Sequence, residues 1–304
     1  MQRGFEADGD RTAAAVTAGM LWFYWYQRGV FTEGRRWLEQ AIEADVTPVA
    51  TARCLLGVAN LERVQGNLTE AKDHGLRALD LFRDAGDDEG KADALSQLGA
   101  ICQYLNETDE AELYLNEAVP LLRQIGARGQ LSFTLVLLGA LKQLRSDLDG
   151  AEADYRESLS LGRELDDRNY IATSLVNLGE VLQLKGDLDG AGANFKESLL
   201  LFHTLGVRNA IAYCLEMLAG IDMEQNRLRE ATVLFGAADK LREVLGTPIE
   251  SFNEDRYRAN LERCRNGIGD EAYAAAWKEG REMPLDDAVQ VAQIDEDVSH
   301  QDTD

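Results

Sequence analysis

A unit of 40 residues recurs five times without insertion or deletion in this 304-residue chain, and it constrains the fold more than any other feature. A small residue stands at Ala59, Gly99, Gly139, Gly179 and Ala219. Twelve positions later comes an alanine: Ala71, Ala111, Ala151, Ala191 and Ala231. Five residues before each alanine is a turn former, Gly66, Asn106, Ser146, Gly186 or Asn226. A fixed period of this size is the signature of a solenoid, in which each repeat buries its apolar face against its neighbours. Chains built this way serve mostly as binding scaffolds, so recognition is expected ahead of chemistry.

Each repeat reads as two helices. In the fourth, Leu175, Leu178, Val181 and Leu182 make one apolar helical face. Gly186-Asp187 ends that helix, and Asp187 or Asp189 can cap the next through a side-chain oxygen. Ala191, Phe195, Ser198 and Leu199 line the second helix; Tyr155 and Phe235 match Phe195, and Ala78, Ala118 and Ala238 match Ser198. Gly99, Gly139 and Gly179 fall in mid-helix, where glycine costs about 1 kcal/mol relative to alanine. The expected compensation is a neighbouring helix backbone passing close by, with the alanine twelve residues on across the same contact.

The flanks are degenerate copies. Trp22 and Gly34 take the two small positions of a preceding pair, with Gly29 at its turn. Gly267 and Ala272 keep the five-residue spacing in a later one, and Pro284 opens a short last helix over 285–293. Pro120, inside a second helix, is expected to kink that helix or start it anew. The organisation expected is an N-terminal segment 1–12, a degenerate first pair 13–46, a repeat array 47–246, a degenerate pair with a capping helix 247–293, and an acidic tail 294–304 that reads as disordered.

The 54 acidic residues against 31 basic ones leave a net charge of −23. Direct nucleic-acid binding is excluded as the expected role, because phosphates require a basic surface. The acidity suits solubility or a saline environment. Cys54, Cys102, Cys214 and Cys264 have no CxxC spacing and read as packing residues in a reducing cytoplasm. The most apolar run, 13–26, is too short to span a bilayer, and Glu6, Asp8 and Asp10 precede it where a signal peptide carries positive charge. The three histidines, His74, His203 and His300, show no zinc spacing. No metal, no cofactor and no catalytic residue is expected, and the chain does not read as an enzyme.

The pattern of small residue, turn, alanine and aromatic resembles the tetratricopeptide repeat in a 40-residue version. The resemblance implies an all-α, right-handed superhelix of about seven helix pairs. A narrower resemblance rests on Leu21-Trp-Phe-Tyr-Trp-Tyr-Gln-Arg-Gly29 with Glu33-Gly-Arg-Arg-Trp-Leu-Glu39, and on Ala231-Thr-Val-Leu-Phe-Gly-Ala-Ala238, Ala274-Ala-Ala-Trp277, Gly280-Arg281 and Leu285-Asp-Asp-Ala288. These resemble the C-terminal (MalT-like) repeat region of STAND-type bacterial signalling ATPases, LuxR-type and winged-helix transcription regulators and class III cyclases. Together the resemblances cover roughly residues 13–292. The chain departs from them in having no GxxxxGK[ST] phosphate loop, since Gly90-Lys91 is followed by Ala92. It also shows no helix-turn-helix after residue 292 and no cyclase domain. The expectation is therefore a sensor or interaction half, acting in trans or cut from a longer product.

Such scaffolds bind partners in a concave groove lined by the first helix of each pair. By the resemblance, the position four after the small residue faces that groove; here it holds Arg63, Gln103, Gln143, Gln183 and Met223. Asn60, Tyr104, Asn177 and Glu180 join them. The glutamines would hydrogen-bond an extended peptide, and Arg63 would meet a carboxylate or phosphate. The plainer alternative is that they are solvated helix residues. A docking surface is expected at Trp22, Phe23, Trp25 and Tyr26, facing an upstream domain, a partner or a second copy of the chain; the alternative is that these rings pack within the first pair or beneath residues 1–12. The function implied is a protein-interaction or sensor scaffold of an ATPase-linked signalling or transcription system, with a peptide, a protein, an ATPase or a regulator domain as partner. A small-molecule inducer receptor built on the glutamines and Tyr104 is the alternative, and an enzyme subunit the third reading.

Overall fold

The computed structural model describes residues 10–44, 46–247, 249 and 251–294, the side chains of 27 and 251–253 excepted. Most of the expected segment 1–12 and the acidic tail from Asp295 lie outside the described residues. Every regular element among the described residues is a helix. None is long and apolar enough to cross a membrane. The chain divides into two compact units, one ending at Ser146 and the other starting at Asp147.

The first unit holds α1 (Arg11–Met20), α2 (Trp22–Arg28), α3 (Phe31–Glu43), α4 (Pro48–Gln65), α5 (Leu68–Ala85), α6 (Asp88–Tyr104), α7 (Thr108–Ile125) and α8 (Arg128–Leu144). The pairs α4/α5 and α6/α7 are the first two in-register repeats. Their turns form where the sequence places them: Gly66 and Asn106 have φ of 84° and 59°, in the left-handed region that ends a helix. Asp87 then starts α6 by accepting a hydrogen bond from the Gly90 amide at 3.0 Å. Ala59, Gly99, Ala71 and Ala111 are all buried.

What fills the space above the mid-helix glycine is not what the sequence suggests. A Cβ on Gly99 would lie 2.4 Å from Leu115 Cδ2. The clearance is taken by a side chain one turn beyond Ala111, not by a passing backbone. A backbone approach does occur at Gly19, whose Cβ would lie 2.9 Å from the carbonyl carbon of Arg53 as α1 crosses α4. At the same crossing Cys54 donates its thiol hydrogen to the Ala15 carbonyl at 3.1 Å.

The N-terminal pair differs from the expectation in two ways. Leu21 breaks the apolar run 13–26 into α1 and α2. Trp25, not Trp22, meets Gly34, where a Cβ would lie 2.7 Å from the indole. Gly29 does end α2, at φ 67°. Pro120 starts no new helix: α7 runs through it. Both Pro120 and Asn116, whose carbonyl the ring displaces, are exposed, so water satisfies the freed acceptor.

The second unit holds α9 (Leu148–Glu164), α10 (Arg168–Leu184), α11 (Leu188–Leu205), α12 (Arg208–Glu224), α13 (Leu228–Leu245), α14 (Ser251–Ile268), α15 (Asp270–Glu282) and α16 (Leu285–Val291). The same rules recur. Gly186 and Asn226 are left-handed. Of the two candidate caps it is Asp187 that accepts from the Gly190 amide at 2.9 Å, while Asp189 accepts from Gln225 at 3.3 Å. A Cβ on Gly179 would lie 2.8 Å from Phe195 Cε1, the counterpart of Leu115 over Gly99. Ion pairs repeat with the period: Arg83–Glu117 in the first unit and Arg163–Glu197 in the second, then Arg145 on Asp109 and Glu112 matched by Lys185 on Asp149 and Glu152.

The C-terminal pair is irregular. Its turn lies at Gly269, φ 82°, whereas Gly267 is still helical and Ala272 is exposed. The expected spacing through Gly267 and Ala272 is therefore not the structural one. α15 packs directly on α13, and here two backbones do touch. A Cβ on Gly280 would lie 2.0 Å from the Val233 carbonyl oxygen, and one on Gly236 2.6 Å from that of Trp277. α16 starts after Pro284 as expected and turns back onto α11, with Asp286 on His203 at 2.8 Å and Gln293 donating to the Lys196 carbonyl at 3.1 Å.

All four cysteines are buried and free. Burial pushes the thiols of Cys54, Cys102 and Cys214 up to about 12, which leaves them protonated packing groups.

Candidate functional site

The first helices of successive repeats in the first unit, α4, α6 and α8, lie side by side and carry five of the expected groove residues. Arg63 and Tyr104 come together. The guanidinium carbon is 5.8 Å from the ring centroid, a cation–π distance. The 40-residue register places them one repeat apart with an offset of one, so the longer arginine lies across the next helix's aromatic. Tyr104 remains 63% exposed. Arg63 is half-buried, its Nε is shut off from solvent without an acceptor, and it makes no ion pair among the described residues.

Gln103 is not free for a ligand in full. Its amide donates to the Leu137 carbonyl at 2.7 Å, tying α6 to α8. Gln143 is half-buried on α8. Asn60 is buried, and its Oδ1 has no partner. In the N-terminal half of α6 Asp93 has its carboxyl pushed up to about 6 by burial, opposed by a hydrogen bond from Gln97 and the charge of Arg53.

In the second unit Asn177, Glu180 and Gln183 all lie on α10 and are half-buried. Glu180 accepts a hydrogen bond from the Tyr213 hydroxyl of α12 at 2.5 Å. Burial first, then the neighbouring carboxylate, hold that phenol well above its ordinary value. Gln183 faces α12, its amide nitrogen 3.7 Å from where a Cβ on Gly220 would lie. Met223, which ends the row, is buried and belongs to the core. A shallow depression of about 500 Å³ elsewhere in this unit is lined by Arg156, Ser160, Arg163 and Leu178. It contains none of the expected residues, and both arginines are paired, with Glu152 and Glu197.

Sequence reasoning named Tyr104 after Gln103 but missed the leucines that follow the other two glutamines. Leu144 in the first unit is 70% exposed and Leu184 in the second 61%, at the position that Tyr104 occupies in its repeat. The register itself could have revealed them, because an apolar residue repeating at a helix end outside the packed face is a surface feature.

The expected docking surface divides. Trp25 is buried, packed in a cluster with Ala15, Ala18, Leu38, Cys54 and Leu61, with Trp22 half-buried against it. Trp25 is therefore a core residue, because Gly34 opens the space that its indole fills. Phe23, Tyr24 and Tyr26 stay exposed. Ring contacts link Trp22 to Phe23, Phe23 to Tyr26 and Tyr26 to Phe31 at 5.6–6.4 Å, and Arg28 lies over Tyr24.

One group of metal-ligand type exists among the described residues, at Cys102, Glu107 and Glu110. Lys72 already occupies it, with Nζ at 2.6 and 2.8 Å from the two carboxylates. An ammonium satisfies their charge there, and the buried thiol is protonated.

Residues 49–124 and 130–199 match the tetratricopeptide repeat family, so the chain carries tetratricopeptide repeats there. A 96-residue stretch is 33% identical to the regulatory protein AfsR of Streptomyces griseus, covering 32% of this chain and only 10% of that protein's length. Two solved structures share the fold. One is a Rap protein complexed with competence and sporulation factor (TM-score 0.61, 14% identity, 93% of this chain and 77% of that one). The other is a signal transduction ATPase with numerous domains, from Pyrococcus horikoshii, that carries a tetratricopeptide repeat sensor (TM-score 0.62, 14% identity, 93% of this chain and 44% of that one).

Proposed function

We propose that this tetratricopeptide repeat chain is a sensor scaffold of an ATPase-linked signalling or transcription system, and that it binds a peptide or protein partner on the first-helix face of its first unit. The observation that carries the reading is the Arg63–Tyr104 pair: a half-buried guanidinium with no carboxylate of its own, lying on a largely exposed ring. Arginine and aromatic residues are the side chains most enriched at interface hot spots. Leu144 on α8 extends the surface with an apolar contact, and half-buried Gln143 lies beside it in sequence. A segment bearing a carboxylate near an apolar side chain satisfies both. Asn177, Glu180 and Gln183 form a separate face on the second unit, and Phe23 and Tyr26 a docking surface for an ATPase or regulator domain or for a second copy. The match to a regulatory protein and the likeness to a repeat sensor favour the signalling context.

The test is crosslinking capture from the native cell, comparing the chain with its Arg63→Glu/Tyr104→Ala double variant. Loss of the same specific partner from the variant, with its helical circular dichroism and melting point retained, is the expected result. Equal capture by both overturns the proposal. A rise in the melting point with a small metabolite, lost in the same variant, would select the small-molecule receptor reading.

A further inference from the structure

In the second unit α9 and α11 carry one pattern a repeat apart, and on α11 that pattern already holds a helix. Lys196 and His203 stand seven residues apart on α11, a span of about 10 Å. α16 and the residues after it run antiparallel across them. His203 Nε2 is 2.8 Å from Asp286, Gln293 donates to the Lys196 carbonyl at 3.1 Å, and Lys196 Nζ donates to the Gln293 carbonyl at 3.4 Å. Asp286 and Gln293 are also seven residues apart, so segment and seat match in length. Between these clips Ala288, Val289 and Ala292 are buried. Forty residues earlier the register puts Arg156 and Arg163 at the two clip positions of α9, with Leu159, Ser160 and Leu178 matching Leu199, Leu200 and Leu218. These five residues line the depression of about 500 Å³, with Glu164 as the one acid beside them. Both guanidiniums have donors to spare. Arg163 spends Nη2 on Glu197, and Arg156 spends Nε and Nη2 on Glu152. Nε and Nη1 of the first and Nη1 of the second therefore lack an acceptor among the described residues.

We propose that this depression is a docking seat for a helix of a partner protein, built as α16 is: an acid at one end, a polar amide seven residues on, and small apolar residues between. Charge points to the acid. Two guanidiniums against one carboxylate line the seat, and arginine meets a carboxylate through a fork of N–H donors. Shape points to the small residues. The floor residues Leu159 and Leu178 are themselves buried, which suits contacts the size of alanine or valine better than one large anchor. The chain's own α16 is already seated on α11, so the occupant comes from another protein. The two seats differ at one place. Arg163 pairs across the inter-repeat contact with Glu197, whereas the counterpart of Glu197 beside His203 is Ala237. Asp286 thus supplies the acid that His203 lacks, while a partner helix on α9 shares Arg163 with Glu197. Docking on α9 is therefore reversible and weakened by salt.

The probe is a peptide of residues 284–294, its helix locked by a staple between positions 287 and 291, both of which are exposed in the chain. Titrated into the full chain, it is expected to shift the amide resonances of 156–164 on α9 saturably and to leave those of α16 unmoved. Arg156→Ala/Arg163→Ala, which replaces two exposed residues by a strong helix former, should abolish the shifts. The same peptide with Asp286→Asn should bind about tenfold more weakly, the size of one charge-assisted hydrogen bond. Absence of a saturable shift on α9 at millimolar peptide overturns the proposal. So do shifts that persist in the double variant. A response confined to α11 and α16 overturns it as well, because the peptide then only exchanges with the chain's own helix. The readout involves neither Arg63 nor Tyr104, so this seat and the first-unit surface stand or fall separately.

Discussion

The position five residues before each repeat alanine is left-handed in all five repeats, yet glycine occupies it only at Gly66 and Gly186. Asn106 and Asn226 tolerate that backbone, as asparagine does. At an inter-repeat turn Asp166 (φ 52°) shares that tolerance, whereas Ser146 (φ 64°) does not. An L-residue held there costs roughly 1–2 kcal/mol, and glycine returns about 0.5–1 of that in unfolded-state entropy. Ser146→Gly should thus raise stability by about 0.5–1 kcal/mol in urea unfolding, and Asn106→Gly by distinctly less. Gly99 gives the opposite prediction. Alanine there gains about 1 kcal/mol of helix propensity, but its Cβ enters the space of Leu115, itself wholly buried. Overpacking of about 1–3 kcal/mol exceeds that gain. Gly99→Ala should destabilise, and adding Leu115→Val should restore part of the loss.

Among the elements, α13 and α15 show what a true backbone contact demands. The atom facing Gly280 is a carbonyl oxygen, not the end of a flexible side chain, so nothing there can move aside. Gly280→Ala is expected to cost at least the ~3 kcal/mol at the upper end of overpacking, and more than Gly99→Ala. The loss should be local: α15 amides would exchange early while α10–α12 keep their protection. Equal loss along the whole second unit would refute that division. The same reasoning explains why α7 survives Pro120. A helix interrupted on its solvent side loses a hydrogen bond that water replaces, and its buried side, with Ala111, Leu115, Ala118 and Leu122, is untouched.

For the whole molecule the governing quantity is the net charge of −23. Many of the ion pairs are exposed, as with Arg163–Glu197 and Arg258–Glu254, and such pairs contribute only about 0–1 kcal/mol each. Self-repulsion of the surplus acids opposes folding over longer distances. Raising salt shortens the screening length from ~30 Å near 0.01 M to ~3 Å near 1 M, and it should weaken the repulsion more than the pairs. The melting point is therefore expected to rise with sodium chloride. A fall would mean that the ion-pair ladder between repeats, Arg83–Glu117 and its counterparts, outweighs the net charge.

The period, the two-helix repeat, the turn positions and the buried alanines were legible in the sequence, because each depends on local backbone preference and on a register that repeats without a gap. Arg63 and Tyr104 were both legible as groove residues, but their pairing was not, because they stand one position apart in the register and only the structure lays the guanidinium on the ring. What depends on distances across helices was not. Sequence spacing could not say that Leu115 rather than a backbone lies over Gly99, that Gln103 spends its amide on Leu137, or that Trp25 turns inward while Phe23 and Tyr26 do not. Where the register fails, at the two ends, the pattern misplaced the turn at Gly267 and paired Gly34 with the wrong tryptophan. Glu62 shows the limit most clearly. On a helical wheel it is one more acid in an acidic chain, and only the packing of α3 and α5 on α4 removes it from water and brings Arg35 and His74 to it, because burial belongs to the assembled helices and not to any one of them.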